Sequence, residues 1–295
     1  MFRTRPLTEG LIYVALSHAM ALGIALAFPH AELARLMSAL VPVTAVTIMT
    51  FTVFRRGQRR PLWQGIGLNR LGLRWWPAAI AIPFLLMAIA YGVALVLNVA
   101  ELNNPAGLFD WMAANGAGFL INLAVGGIVI MGEEIGWRGF LLPRLQTALS
   151  GRSAALLTGF IHGLFHLPLI LLTSVYDNIG SRWVIAPMVV VVITGGGVIY
   201  AWLRDHAQSV WPVAIAHQSV NTIFELGTLA TLAASPVALA YVAGEGGLAT
   251  CAAVWLVAGV LLGLKSQWSS RRPTAAPSPP RVPPVVSEVA GPPRR

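Results

Sequence analysis

Cysteine and charge are both scarce in this sequence, and each scarcity excludes something. The single cysteine, Cys251, cannot build an internal disulfide framework or a Cys-rich zinc or iron–sulfur site, since both need several thiolates. Charged residues make up 11% of the 295 against 56% hydrophobic, whereas soluble domains carry about 25% charged residues. That balance excludes an ordinary soluble domain and reads as a membrane protein. The GxxxxGKS/T loop and the GxGxxG turn are also missing, so nucleotide use has no support. The net charge of +9 does not indicate nucleic acid as a partner, because the charges sit between apolar runs rather than along one basic face.

What is present is length without charge. A bilayer core about 30 Å thick takes roughly 20 helical residues. Apolar runs of this order extend from Thr8 to Phe28, Leu33 to Phe54, Trp75 to Val99, Ala117 to Leu142, Ser153 to Thr173, Trp183 to Leu203, Ser209 to Ala230 and Val237 to Leu264. They are continuously apolar rather than alternating, which gives helices and not barrel strands. The expected fold class is all-α: a multi-pass membrane helical bundle of about eight transmembrane helices.

Charge then sets the topology. With the N-terminus in the cytosol, 18 of the 20 Lys and Arg residues fall on the inner side, and only Arg35 and Arg182 fall outside. This positive-inside bias puts both termini in the cytosol. A basic start and Ala25-Leu26-Ala27 resemble a cleavable signal peptide, but the apolar run is long for one, and the first span reads as a retained helix. Residues 1–264 form the polytopic domain. Residues 265–295, with eight prolines and Arg and Ser between them, are expected to be a disordered cytosolic tail. The run Arg55 to Arg60 reads as a topology anchor at the lipid surface. The Arg-, Ala- and Gly-rich, nearly Lys-free composition points to a GC-rich bacterial source and so to the cell membrane.

Polar groups inside such spans are costly and are functional candidates by default. Three clusters qualify: Glu133, Glu134 and Arg138 in EEIGWRGFLLP, His162 and His166 in HGLFHLP, and His217 and Asn221 in HQSVN. Glu134 and Arg138 are spaced i,i+4 and can pair on one helix face, while Glu133 lies about 100° round and is free to point elsewhere. His162/His166 and His217/Asn221 have the same spacing, so each pair offers two polar groups from one stripe. Depth agrees as well. Glu133 is 11 residues from Arg144, His166 is 14 from Arg152 and His217 is 13 from Arg204, which at about 1.5 Å per residue sets all three at similar depth. His18 and Asn122 read as cross-helix bonds, Gly195-Gly196-Gly197 as close packing, and Glu225 and Glu245 as cavity groups or, preferred, markers of the outer interface.

A carboxylate, imidazoles and an amide in one low-dielectric cavity open to the cytosol supply the parts for acyl transfer to water. The Glu is a general base for water, a His orients that water, ligates a metal or protonates the leaving amine, and His217 with Asn221 donates to an oxyanion.

These residues also carry a family resemblance. EEIGWRGFLLPRL, HGLFHLP and HQSVN resemble the EExxxR, FxxxH and HxxxN/D motifs of the CAAX-protease and bacteriocin-processing family of intramembrane proteases, related to the prenyl-protein endopeptidase of the endoplasmic reticulum. The resemblance spans about Leu68 to Asn221, with GLNRLGLRWW ahead of the third span. One position departs: His162 stands where FxxxH has its aromatic residue, so that the pocket wall is polar there or His162 joins the site.

The resemblance implies a membrane endopeptidase whose peptide or protein substrate is, for some members, C-terminal and prenylated. It implies Glu133 as the base, His166 as its partner on water, His217 and Asn221 as oxyanion donors, and Glu134 with Arg138 as a structural pair. No cofactor is required in a glutamate mechanism. Zn is the alternative, with Glu133, His166 and His217 as ligands and His162 as a further one; HExxH is absent. A noncatalytic scaffold or immunity protein of the same fold, and a transporter, are the competing readings. A transporter is expected to show internal repeats, which are not found.

Overall fold

The computed structural model describes residues 6–30, 32–103, 110, 120–121, 124–176, 180–264 and 268. Asn122 and, apart from Trp268, the expected tail at 265–295 lie outside the described residues.

The molecule is an all-α membrane bundle. In chain order its helices are α1 (Pro6–Ala27), α2 (Glu32–Thr52), α3 (Arg56–Ile66), α4 (Trp76–Val96), α5 (124–134), a π-helical turn (Ile135–Leu141), α6 (Leu142–Leu145), α7 (Gly151–Phe165), α8 (Leu167–Leu172), α9 (Arg182–Ala207), α10 (Trp211–Ala230), α11 (Pro236–Ala243) and α12 (Leu248–Gly263). Six segments among the described residues are long and apolar enough to cross a bilayer: Pro6–Ala27, Leu33–Thr52, Leu73–Val96, Gly151–Leu172, Arg182–Ala207 and Pro236–Gly263. They coincide with six of the eight expected runs. The fourth run lies partly outside the described residues. The seventh forms α10, whose His217, Gln218, Asn221 and Glu225 lower its hydropathy and which packs against α4 and α9.

Several local features follow from sequence chemistry. Pro168 lacks a backbone donor, and the helix breaks at His166 between α7 and α8. Threonine hydroxyls on α2 return to carbonyls one turn back, as with Thr44 to Leu40 at 2.8 Å, which pairs these donors within the helix. The run expected only to anchor topology includes a further element, α3, which ends at Gly67 with φ 91°. The guanidinium of Arg204 donates to the α3 carbonyls of Gly65 and Ile66 at 3.0 and 3.1 Å, satisfying the end of that helix.

The two ends of the bundle are tied separately. At one end Gln146 donates to Asp205 at 2.8 Å and Trp211 to the Leu68 carbonyl at 3.1 Å, next to the Arg204 contacts. At the other, Glu101–Leu102 pairs antiparallel with Thr231–Leu232, and Arg182 donates to the Leu171 carbonyl at 3.0 Å. Arg144 in α6 and Arg204 near the end of α9 thus lie at one end of the bundle, and Arg182 at the start of α9 lies at the other.

Between the ends, α7 packs along α9, where Gly159 and Gly197 meet backbone to backbone with no room for a Cβ on either. α1 is locked in by Tyr13, fully buried against Trp137 and Phe140, and by an ion pair of Glu9 with Arg144 at 2.9 Å. The cross-helix hydrogen bond expected of His18 is not seen among the described residues: Nδ1 pairs with the Val14 carbonyl of its own helix at 2.9 Å.

Candidate active site

The site is assembled where α5 gives way to the π-helical turn. A π turn accommodates one residue more than an α turn and is frequent at functional positions. All seven of its residues are buried. Gly136 lies so close to the Tyr13 hydroxyl and to Pro42 that no side chain would fit. This tight seat holds Glu133 and Glu134 inward, 5% and 0% exposed.

Glu134 and Arg138 form the expected pair, with Nη1 at 3.0 and 3.1 Å from the two carboxylate oxygens and both side chains fully buried. From α10, His217 Nδ1 reaches the same carboxylate, 2.7 Å from Oε1. Arg138 Nη1 bridges both oxygens of Glu134, and His217 shares Oε1 with it. This leaves His217 Nε2 as the nitrogen free for the cavity.

Glu133 points elsewhere, as its helical offset requires. Its Oε2 lies 3.1 Å from His162 Nε2, and His162 Nε2 lies 3.3 Å from His166 Nε2. Ligating atoms of Glu133, His162 and His166 all fall within 4.8 Å of one another. His162 Nδ1 in turn sits 3.3 Å from Arg138 Nη1, and its ring stacks on Trp137 with centroids 4.8 Å apart. Two residues not anticipated from sequence hold the arrangement. Trp137 backs His162, and Tyr200 of α9 stacks on His217 at 5.4 Å and lies under the Arg138 guanidinium at 4.9 Å. Aromatic residues in apolar spans look like core, so sequence offered no signal for either.

His162, His166, Tyr200 and His217 of this group line a cavity of about 130 Å³. Its polar wall is His162, His166, His217 and Asn221, and aliphatic residues such as Ile82, Leu86 and Val192 make up much of the rest. Glu245 also lines it and is therefore a cavity group, one of the two readings open to it from sequence. Glu133 does not itself line this cavity; it contacts His162, which does.

Residues 114–223 match the family model described as type II CAAX prenyl endopeptidase Rce1-like. The chain carries an Rce1-like domain. No curated protein matches it significantly. All three motif clusters lie inside the matched segment, and GLNRLGLRWW lies before it.

The expected zinc ligands of this Rce1-like domain were Glu133, His166 and His217. His217 is not in the converging group, because Glu134 holds it, and His162 stands in its place. The 3.1 and 3.3 Å separations suit a tetrahedral ion, whose ligands at about 2.0–2.1 Å from the metal stand roughly 3.3 Å apart. The hydrogen-bond polarity does not suit one. A metal-bound His donates from its second nitrogen to an acceptor. At His162 the second nitrogen instead receives a hydrogen from a guanidinium, which can only donate. His162 Nε2 therefore carries the ring hydrogen and has no lone pair for an ion. Glu133 and His166 remain, short of the three protein ligands usual for a catalytic zinc, so the residues present do not fit the metal.

Proposed function

We propose that the protein is an intramembrane endopeptidase that hydrolyses peptide bonds by a metal-independent glutamate mechanism, in a cavity open to the cytosolic side of a bacterial cell membrane. The observation that carries this reading is the meeting of Glu133, His162 and His166 within 4.8 Å, with His166, His217 and Asn221 lining one cavity. Three helices supply these groups, and burying so many polar side chains at membrane depth is costly unless they act.

In this scheme Glu133 takes a proton from water, with His166 orienting it, and the oxygen attacks the scissile carbonyl carbon. His217 Nε2, protonated for this role while Glu134 holds Nδ1, donates with the Asn221 amide to the oxyanion. The C–N bond then breaks, and the proton held by Glu133 passes to the leaving amine. Glu134 and Arg138 keep His217 in place. The aliphatic walls favour an apolar segment beside the scissile bond, and the substrate class we assign is a membrane-associated peptide, C-terminal and lipidated as for a prenyl endopeptidase.

The test is purified wild type beside Glu133→Ala and His166→Ala on farnesylated and plain peptides, with and without chelator. Cleavage by the wild type alone supports the proposal. Equal turnover in all three would reduce the protein to a noncatalytic scaffold with a contaminating activity.

A further inference from the structure

His162 is unused in that scheme, yet it is the most connected side chain in the site. It stands where the resembled motif has an aromatic residue, so a wall function alone would need no nitrogen. Its ring is 2% exposed, and its contacts are directional. Arg138 Nη1 faces Nδ1 at 3.3 Å, and Nε2 faces Glu133 Oε2 at 3.1 Å and His166 Nε2 at 3.3 Å. Since a guanidinium only donates, the ring hydrogen sits on Nε2, between a carboxylate oxygen and an imidazole nitrogen that both accept.

One consequence is a continuous chain. From His217 it runs to Glu134 at 2.7 Å, to Arg138 at 3.0 Å, to His162 at 3.3 Å and to Glu133 at 3.1 Å. The residue assigned to the oxyanion and the residue assigned as base are thereby joined by four hydrogen bonds. Removing the nitrogens of His162 cuts this chain and takes the Nε2–H donor away from the buried Glu133 carboxylate.

We infer that His162 is a positioning residue for peptide hydrolysis: its fixed Nε2–H holds Glu133 Oε2 and His166 Nε2 in register, leaving Glu133 Oε1 for water, and couples the base to the Glu134–Arg138–His217 group. This rests on the peptidase reading above. The variant that tests it is His162→Phe, which keeps a ring to stack on Trp137 but has no donor. His162→Gln restores a donor near the Nε2 position without an imidazole.

The expected result is that His162→Phe lowers kcat about 10- to 100-fold, the range for losing a hydrogen bond to a charged group, while KM stays within about twofold, and that His162→Gln recovers most of kcat. Wild-type kcat in His162→Phe would overturn the inference, leaving His162 as wall. Equal loss in both variants with a lowered melting temperature would also overturn it, leaving His162 as packing. Glu133→Ala assayed in parallel separates the two levels. Its retained turnover would sink the peptidase reading itself, whereas its loss beside a fully active His162→Phe would sink only the role of His162.

Discussion

The carboxylate of Glu134 and the imidazole of His217 meet at 2.7 Å across two helices that have no sequence neighbourhood, with Arg138 bound to the same carboxylate at 3.0 Å. The pair that sequence marks as structural therefore also orients the expected oxyanion donor. Glu134→Ala would strand the fully buried Arg138 guanidinium. Breaking a buried ion pair costs about 3–5 kcal/mol, so the variant is expected to melt well below wild type in detergent as well as to lose turnover. An unchanged melting temperature would contradict this.

Glu133 should behave in the opposite way. In Glu133→Gln the amide oxygen still accepts the His162 hydrogen, so folding is retained, whereas turnover falls about 10²- to 10⁴-fold, the usual share of a general base. Thermal unfolding and peptide cleavage measured on one preparation separate the two glutamates.

Asn221 lines the cavity one helical turn from His217. Asn221→Ala is expected to lower kcat by about 10²- to 10³-fold with little change in KM, as for loss of one oxyanion donor. A rise in KM alone would instead make Asn221 a substrate-binding group.

Chelation is expected to leave turnover unchanged, because the Arg138 contact keeps the His162 Nε2 lone pair from an ion. Activity lost to a chelator and restored by Zn²⁺ would mean that this contact breaks in the working enzyme.

At the α7–α9 seam, Gly197→Val adds side-chain atoms where Gly159 already touches. Overpacking of this kind costs about 1–3 kcal/mol. The expected outcome is a lower melting temperature, with separation of α7 from α9 displacing His162 and His166 and reducing turnover.

The parts of this molecule that sequence makes legible are those governed by period and charge. Long uncharged runs gave the spans, arginine placement gave the grouping of loops, and i,i+4 spacing gave the Glu134–Arg138 pair and the separate direction of Glu133. The rest depends on contacts between distant elements. The π-helical turn has no composition of its own; it lies where Gly136 is hemmed in by Tyr13 and Pro42 and Gly139 by Ile66, contacts between distant elements. The capture of His217 by Glu134 follows from which partner stands nearer once α10 docks. The helix α3 was hidden by its arginines, although Leu62, Trp63 and Ile66 carry its apolar side, and Trp63 bonds Thr50 at 3.2 Å.

The extra residue accommodated between Ile135 and Leu141 works as a phase adjuster between two rigid cylinders. Each residue of an α-helix advances the side chains by about 100°, so shortening this stretch by one would swing the upstream cylinder by that angle against the downstream one. The two adjacent acids would then leave the interior for hydrocarbon while every downstream contact stayed in place. A lineage losing that single codon would keep a recognisable membrane bundle whose chemistry had been switched off without any change to a motif residue.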